Sequence, residues 1–136
     1  MTKQEIPKPI ENDISLKDSY SQTVVEVMKN ASQSVVNIRV NKPKQAMKTP
    51  RGQQQPFGTG SGFVIREDGL ILTNFHVINQ AEEIRVTLPN GNEFTPEVIG
   101  TDPATDIALL KIDESGLQPL EFADSDKLQP GQIAIA

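Results

Sequence analysis

The chain has 136 residues, no cysteine and a formal net charge of -5, which leaves room for one domain or for a small domain with tails. A sequence without cysteine excludes a disulfide framework, a thiolate metal site and a cysteine nucleophile. No stretch approaches the roughly 18 apolar residues of a membrane span, and Met1 to Pro7 are not followed by the apolar segment of a secretory signal.

The charge is unevenly distributed along the chain. Residues 1–57 contain nine Lys and Arg against five Asp and Glu, whereas residues 58–136 contain four against thirteen. Only 36% of the residues are hydrophobic, so we expect part of the chain to lack a packed core. Residues 1–18 are polar and contain two prolines, which predicts a flexible N-terminal tail.

A helix followed by a strand is predicted after this tail. Apolar side chains recur on one face of a helix over residues 20–32, and Ser19 is the expected N-cap. This apolar face indicates packing rather than a cofactor site, and its members are Tyr20, Val24, Val27, Met28 and Ala31. Residues 34–40 are rich in β-branched side chains and predict a strand.

Residues 41–57 form a long polar loop with three prolines. A loop of this length inside a domain is either functional or disordered. Its cations could contact a phosphate, a membrane or an acidic partner, but without interleaved aromatics they do not favour single-stranded nucleic acid. A solvated, flexible loop is the interpretation we favour. The cations are Lys42, Lys44, Lys48 and Arg51.

The remainder of the chain predicts short strands separated by turns. Residues 68–69 and 89–92 are turn signals, residues 77–80 are typical of a helical turn, and Pro96 suggests a bulge or a sheet edge. Residues 106–112 are apolar almost throughout, which indicates a strand buried on both faces. Strands are predicted at 63–66, 70–73, 84–88, 93–99, 106–112, 118–122 and 133–136. Short strands at this spacing indicate a mainly β fold, an antiparallel barrel or sandwich.

The glycine-rich residues 58–62 invite two functional interpretations that we reject. A phosphate cradle requires a helix after the glycines, whereas a strand is predicted here. Ser61 does not lie in the G-x-S-x-G nucleophile elbow, because Thr59 stands where that motif requires glycine. We therefore expect close backbone packing and a turn.

His76 and Asp106 are the candidate site residues. His76 is the only histidine, which excludes a multi-histidine metal site, and with an Asp at the start of a strand it could form two-thirds of a Ser-His-Asp triad. On the residues alone, an ordinary structural or surface histidine is the interpretation we favour for His76. The case for Asp106 is weaker, because an Asp before a strand is commonly a turn or cap residue.

Several sequence motifs resemble those of the HtrA (Deg) family of trypsin-like serine proteases. Residues 60–65 and 68–78 resemble its first catalytic segment, and residues 105–112 resemble its second. The stretches 84–91, 98–103 and 124–132 follow in the family's order, so the resemblance covers about residues 20–136. The family's Gly-Asn-Ser-Gly-Gly segment and its usual PDZ module are not among these residues.

The resemblance implies a fold and a pair of catalytic residues. The expected fold is the N-terminal antiparallel β-barrel of a chymotrypsin/trypsin-like protease, preceded by a short helix, with the second barrel missing. Residues 19–136 would then be an incomplete protease domain that carries the long basic loop 41–57. His76 would be the general base and Asp106 its orienting partner, with the serine beyond this chain. No cofactor or metal is implied.

The resemblance further implies a serine endopeptidase that degrades unfolded or damaged proteins as a homotrimer or larger assembly. It favours the bacterial periplasm or cell envelope, although this sequence contains no signal peptide. No nucleic-acid partner is expected, and these 136 residues alone should be inactive. The alternative is a non-catalytic, protease-like binding module or a truncated, inactive fragment. A membrane or nucleic-acid binder acting through the basic loop is a third, weaker interpretation.

Overall fold

The structure is a computed structural model that describes residues 18–43 and 57–134. Seven strands, two helices and one 3-10 turn make up this part of the chain. In chain order they are α1 (Ser19–Ala31), β1 (Val35–Asn41), β2 (Phe57–Arg66), β3 (Leu70–Thr73), α2 (Phe75–Ile78), β4 (Glu83–Thr87), β5 (Glu93–Phe94), β6 (Glu97–Asp102), β7 (Ile107–Lys111) and the 3-10 turn Ser125–Lys127.

The strands form one antiparallel sheet in the order β5-β4-β1-β2-β3-β7-β6. The two outermost strands, β5 and β6, are consecutive in the chain and are separated only by Thr95 and Pro96. A flat sheet would hold its two edges far apart, so this short connection requires the sheet to curl into a half-barrel. The predicted mainly β fold, with an antiparallel half-barrel after a short helix, is confirmed.

Alternation along the strands builds the core of the half-barrel. In β1 every second side chain is buried, as the period-2 geometry of a strand requires. Each strand from β1 to β4 and β7 contributes at least one buried side chain, and α2 contributes Ile78. The buried hydrophobic residues are Val36, Ile38, Val40, Val64, Ile71, Ile78, Val86, Leu88, Ala108, Leu110 and Ile112.

Helix α1 confirms the predicted helix but corrects its cap and its packing. Asp18 is the N-cap instead of Ser19, because its carboxylate accepts a hydrogen bond from the Ser21 amide at 2.7 Å. The predicted packing of the apolar face is wrong for Tyr20, Val27 and Met28, which are 59%, 40% and 51% exposed. The C-terminal half of α1 instead lines an open apolar groove of about 650 Å³ against β1.

The glycine-rich residues 58–62 belong to β2 and pair with β1, so the predicted turn is wrong. The predicted close packing is present. A Cβ atom added at Gly60 would lie 2.6 Å from a methyl carbon of Val77, and one added at Gly62 would lie 2.8 Å from the Leu72 carbonyl oxygen. Glycine is therefore required for contact with neighbouring groups rather than for a left-handed backbone.

Four strand predictions also need correction. Residues 93–99 are not one strand, because proline has no backbone N–H and Pro96 ends β5 before β6 begins. Strand β7 is buried on one face only, since Ala108 and Leu110 are buried while Ile107 is 42% exposed.

Residues 118–122 and 133–134 form no strand. Leu120 donates one backbone hydrogen bond to Val64 but forms no ladder. Residues 1–17 of the predicted tail 1–18, residues 44–56 of the basic loop and residues 135–136 lie outside the described part of the chain.

Ser34→Ala should stabilise the fold. The Ser34 hydroxyl is fully buried and has no hydrogen-bond partner among the described residues, and an unsatisfied buried hydroxyl destabilises the folded state. We expect the free energy of unfolding to rise by about 1 kcal/mol, measured by urea denaturation. Ser32→Ala, at the exposed end of α1, is the control, and a loss of stability in Ser34→Ala would contradict the expectation.

Gly60→Ala should destabilise the fold, because the added methyl group collides with both methyl carbons of Val77. Overpacking of this kind costs about 1–3 kcal/mol, which urea denaturation would measure. Gly100→Ala is the matched control, since an added Cβ there meets nothing within 4 Å. Val77→Ala in the same chain should recover much of the loss if the collision is its cause; an additive double variant would contradict this explanation.

Candidate active site

The pairing of β3 with β7 brings the two candidate residues together. Thr73, the last residue of β3, lies opposite Ala108 of β7. In an antiparallel pair, the residues that follow one strand and precede the other meet at the same end. His76 follows β3, in the first turn of α2, and Asp106 immediately precedes β7. The fold therefore places them side by side although 30 positions separate them in the sequence.

The Asp106 carboxylate contacts His76 through both of its oxygens. Oδ2 lies 2.6 Å from the imidazole Nδ1, and Oδ1 accepts a hydrogen bond from the His76 backbone N–H at 2.8 Å. An ionised carboxylate can only accept hydrogen bonds, so Nδ1 carries the hydrogen and a neutral ring has its lone pair on Nε2. The His76 side chain is 71% exposed, which leaves Nε2 open to a reacting group.

Asp106 adopts a backbone conformation that is uncommon outside glycine. Its φ is 57°, in the left-handed region that Asp tolerates better than most residues but at a cost. Its carbonyl oxygen accepts two hydrogen bonds, from the Phe75 backbone N–H at 3.1 Å and from the Asn74 side-chain amide at 3.2 Å. Three consecutive residues, 74–76, thus hold both the backbone and the carboxylate of Asp106.

Hydrogen bonds to the carboxylate of Asp106 favour its ionised form. The backbone N–H of His76, and after it the imidazole, hold the pKa of the Asp106 carboxyl below its ordinary value of 3.8. Partial burial opposes this effect, while the charge of His76 and the side chain of Asn74 add to it. Asp106 is therefore ionised at neutral pH, which an acceptor for the imidazole N–H requires.

Other side chains named by the sequence analysis take no part in this pair. Ser61 lies on β2, where its carbonyl oxygen accepts a hydrogen bond from the Thr73 hydroxyl at 2.8 Å. Within residues 18–43 and 57–134, no serine hydroxyl bonds to the His76 ring, and no cluster of three or more His, Cys, Asp or Glu could hold a metal ion. In the same ranges, no helix is long and apolar enough to cross a membrane.

The basic loop touches the site at one described residue. The Lys42 ammonium lies 3.4 Å from the carbonyl oxygen of His76, a long and exposed contact. The other three cations of the predicted loop fall within residues 44–56, outside the described ranges.

Sequence reasoning assigned no role to Asn74 or Thr73, yet both contact the surroundings of the pair. Thr73 joins the end of β3 to β2, and Asn74 reaches the backbone of Asp106. The sequence offered one signal for Asn74: its side chain has hydrogen-bond donors and lies near the candidate His76, at the end of a predicted strand. The partner of that donor could not be read from the sequence, because it lies 32 positions away.

Asp106→Asn should lower stability in a pH-dependent way. A carboxyl whose folded-state pKa lies below its unfolded value stabilises the fold above that unfolded value, and this stability is lost as the pH falls through the folded pKa. The difference in urea midpoint between the native chain and Asp106→Asn should therefore shrink below about pH 4. Asp113→Asn, which removes another exposed carboxylate, is the control for loss of one charge. A difference that grows on acidification would contradict the assignment.

Comparison with known proteins identifies the family. A model of the trypsin-like peptidase domain matches residues 60–136, more than half of the chain. A periplasmic serine endoprotease described as DegP-like, from Chlamydia muridarum, is 46% identical over 87 residues, which are 64% of this chain and 18% of that protein. A protein of the same description from Pseudomonas putida is 44% identical over 98 residues, 71% of this chain and 20% of that protein.

Solved structures agree with these relatives. The HtrA-type protease AlgW, determined with a tripeptide, superposes with a TM-score of 0.67 at 30% identity, covering 79% of this chain and 32% of that one. The present chain thus spans about a fifth of the length of the curated relatives it matches. His76 and Asp106 both lie inside the matched residues 60–136. From its matched domain, the chain belongs to the trypsin-like peptidase family, and the relatives and solved structures that it resembles are DegP-like and HtrA-type proteases.

Proposed function

We propose that this chain supplies the histidine and the aspartate of a Ser-His-Asp triad in an HtrA-type serine endopeptidase. The observation that carries the proposal is the two-oxygen contact of Asp106 with His76, at 2.6 Å to the ring and 2.8 Å to the backbone. A carboxylate that grips the imidazole and its backbone together fixes both the tautomer and the orientation of the ring. An ordinary surface ion pair does not require the second contact.

His76 is the proposed general base. Its Nε2 takes the proton of a serine hydroxyl as the serine oxygen attacks the peptide carbonyl, and it later gives that proton to the leaving amine as the C–N bond breaks. Water then attacks the carbonyl of the acyl-enzyme, and His76 takes the proton of the water and returns it to the serine oxygen as the ester bond breaks. Asp106 keeps the hydrogen of the ring on Nδ1 and stabilises the imidazolium while it exists. We place the serine and its oxyanion hole beyond these 136 residues, so the chain alone has neither a nucleophile nor electrostatic stabilisation of the tetrahedral intermediate.

The domain division, substrates and setting extend the same proposal. We assign residues 1–18 to a tail and residues 19–136 to the first barrel of an incomplete protease domain. The substrates are unfolded or damaged polypeptides, and the complete enzyme is a homotrimer or a larger assembly. The relatives described as periplasmic support a place in the bacterial periplasm or cell envelope.

Substitution of the pair should abolish proteolysis by the native protein. Asp106→Asn should lower kcat for an unfolded substrate, such as casein, by about 10⁴-fold, and His76→Ala should lower it by about 10⁶-fold, since the general base itself is lost. Asp102→Asn is the matched control, because that exposed carboxylate lies just before Asp106 and bonds the Ala104 amide instead of a histidine. Intact mass and C-terminal sequencing of the native protein would establish whether a Gly-x-Ser-Gly-Gly segment accompanies the pair.

Two results would overturn the proposal. The first is a native protein with peptidase activity that His76→Ala leaves unchanged. The second is a native protein that ends at Ala136, since it would contain no triad serine, and the non-catalytic binding module would then be the better explanation. The 136-residue chain, assayed in parallel, should show no burst with an activated ester.

A further inference from the structure

Asn74 occupies the N-cap position of α2 but does not cap it. Its side chain makes no hydrogen bond to the backbone of its own helix, although asparagine is among the best N-cap residues. The amide Nδ2 instead donates a hydrogen bond to the carbonyl oxygen of Asp106 at 3.2 Å. The side chain thus bonds to the residue that precedes β7 rather than to the backbone of its own helix.

Asp106 needs such support, because its backbone sits in the left-handed region with φ at 57°. A non-glycine residue in this region persists when its surroundings over-determine the conformation. One hydrogen bond to its carbonyl oxygen comes from the Phe75 backbone, which any residue at position 75 except proline would supply. The second comes from a side chain, and only a residue with a donor at the right reach can supply it.

We infer that Asn74 is a positioning residue for the His76–Asp106 pair, holding the Asp106 backbone so that both carboxylate oxygens reach His76. The inference rests on the proposed function for its catalytic meaning. The chemistry requires a donor at position 74: an aspartate of the same shape would present only acceptors to a carbonyl oxygen and would add a negative charge beside the Asp106 carboxylate.

This role and a conventional capping role make opposite predictions. Asp and Ser are good N-cap residues, so a cap would tolerate Asn74→Asp and Asn74→Ser. A donor to the Asp106 carbonyl is lost in Asn74→Asp, and the shorter serine hydroxyl does not span the distance that the amide covers. The same variants therefore separate positioning from capping, whatever their effect on overall stability.

Proton NMR of the imidazole Nδ1–H tests the inference. A carboxylate-bonded ring N–H gives a far-downfield signal, and the signal of His76, the only histidine among these 136 residues, is the one that Asp106→Asn removes. Its exchange with water reports how often the His76–Asp106 contact opens. Asn74→Ala and Asn74→Ser should speed this exchange about five- to tenfold, the effect of one lost hydrogen bond. Asn74→Asp should speed it more or abolish the signal. Asn79→Asp, at the other end of α2, is the control for the added charge and should leave exchange unchanged.

The outcomes distinguish failure of the inference from failure of the proposed function. If Asn74→Asp or Asn74→Ser exchanges at the native rate, Asn74 is a cap and the positioning role is wrong. Far-ultraviolet circular dichroism identifies any variant that does not fold, and the remaining variants then decide. If the native chain shows no downfield signal that Asp106→Asn removes, the pair itself is absent in solution and the proposed triad fails with it.

Discussion

The antiparallel pairing of β3 with β7 is the constraint on which the site depends. It sets Thr73 opposite Ala108, so the segment that leaves β3 and the segment that enters β7 must meet at one end of the sheet. The buried side chains of these strands, Ile71 and Leu110, lie directly opposite each other in the same register. A slip of one residue would turn both out of the core. The burial that stabilises the fold therefore also fixes the register that aligns His76 with Asp106.

The glycine-rich stretch extends this dependence from the backbone to side-chain packing. Val77 follows His76 in α2 and packs where a side chain at position 60 would otherwise lie. The absence of that side chain lets α2 sit close against β2, and the Thr73 hydroxyl joins the end of β3 to β2 by its hydrogen bond to the Ser61 carbonyl oxygen. The glycine-rich residues 58–62 thus leave room for α2, the helix that carries His76.

Much of this architecture could be predicted from the sequence, because alternation and turn residues are local signals. The strand predicted from the β-branched residues 34–40 is present as β1, and the predicted Asp68–Gly69 turn is present with Gly69 at a φ of 95°. The failures are non-local. Residues 93–99 looked like one strand with a bulge or a sheet edge at Pro96. The edge is present, but the residues on either side form two strands that pair at opposite ends of the sheet. The apolar face of α1 suggested burial, but burial depends on what the rest of the fold brings to it. His76 and Asp106 were identified through family resemblance; the contribution of Asn74 needed coordinates, since its partner is distant in sequence.

The link between β5 and β6 has a consequence for solubility. A sheet that does not close through hydrogen bonds leaves two edges on which a second chain could add a strand. In the described part of this chain both edges belong to neighbouring residues, 93–94 and 97–102. That segment is interrupted by Pro96, which has no N–H to offer, and each of its strands begins with a glutamate, Glu93 and Glu97. Proline and charge are the features that discourage strand addition. The single segment 93–102 therefore forms both edges of the half-barrel and places at them the proline and the charges that discourage strand addition.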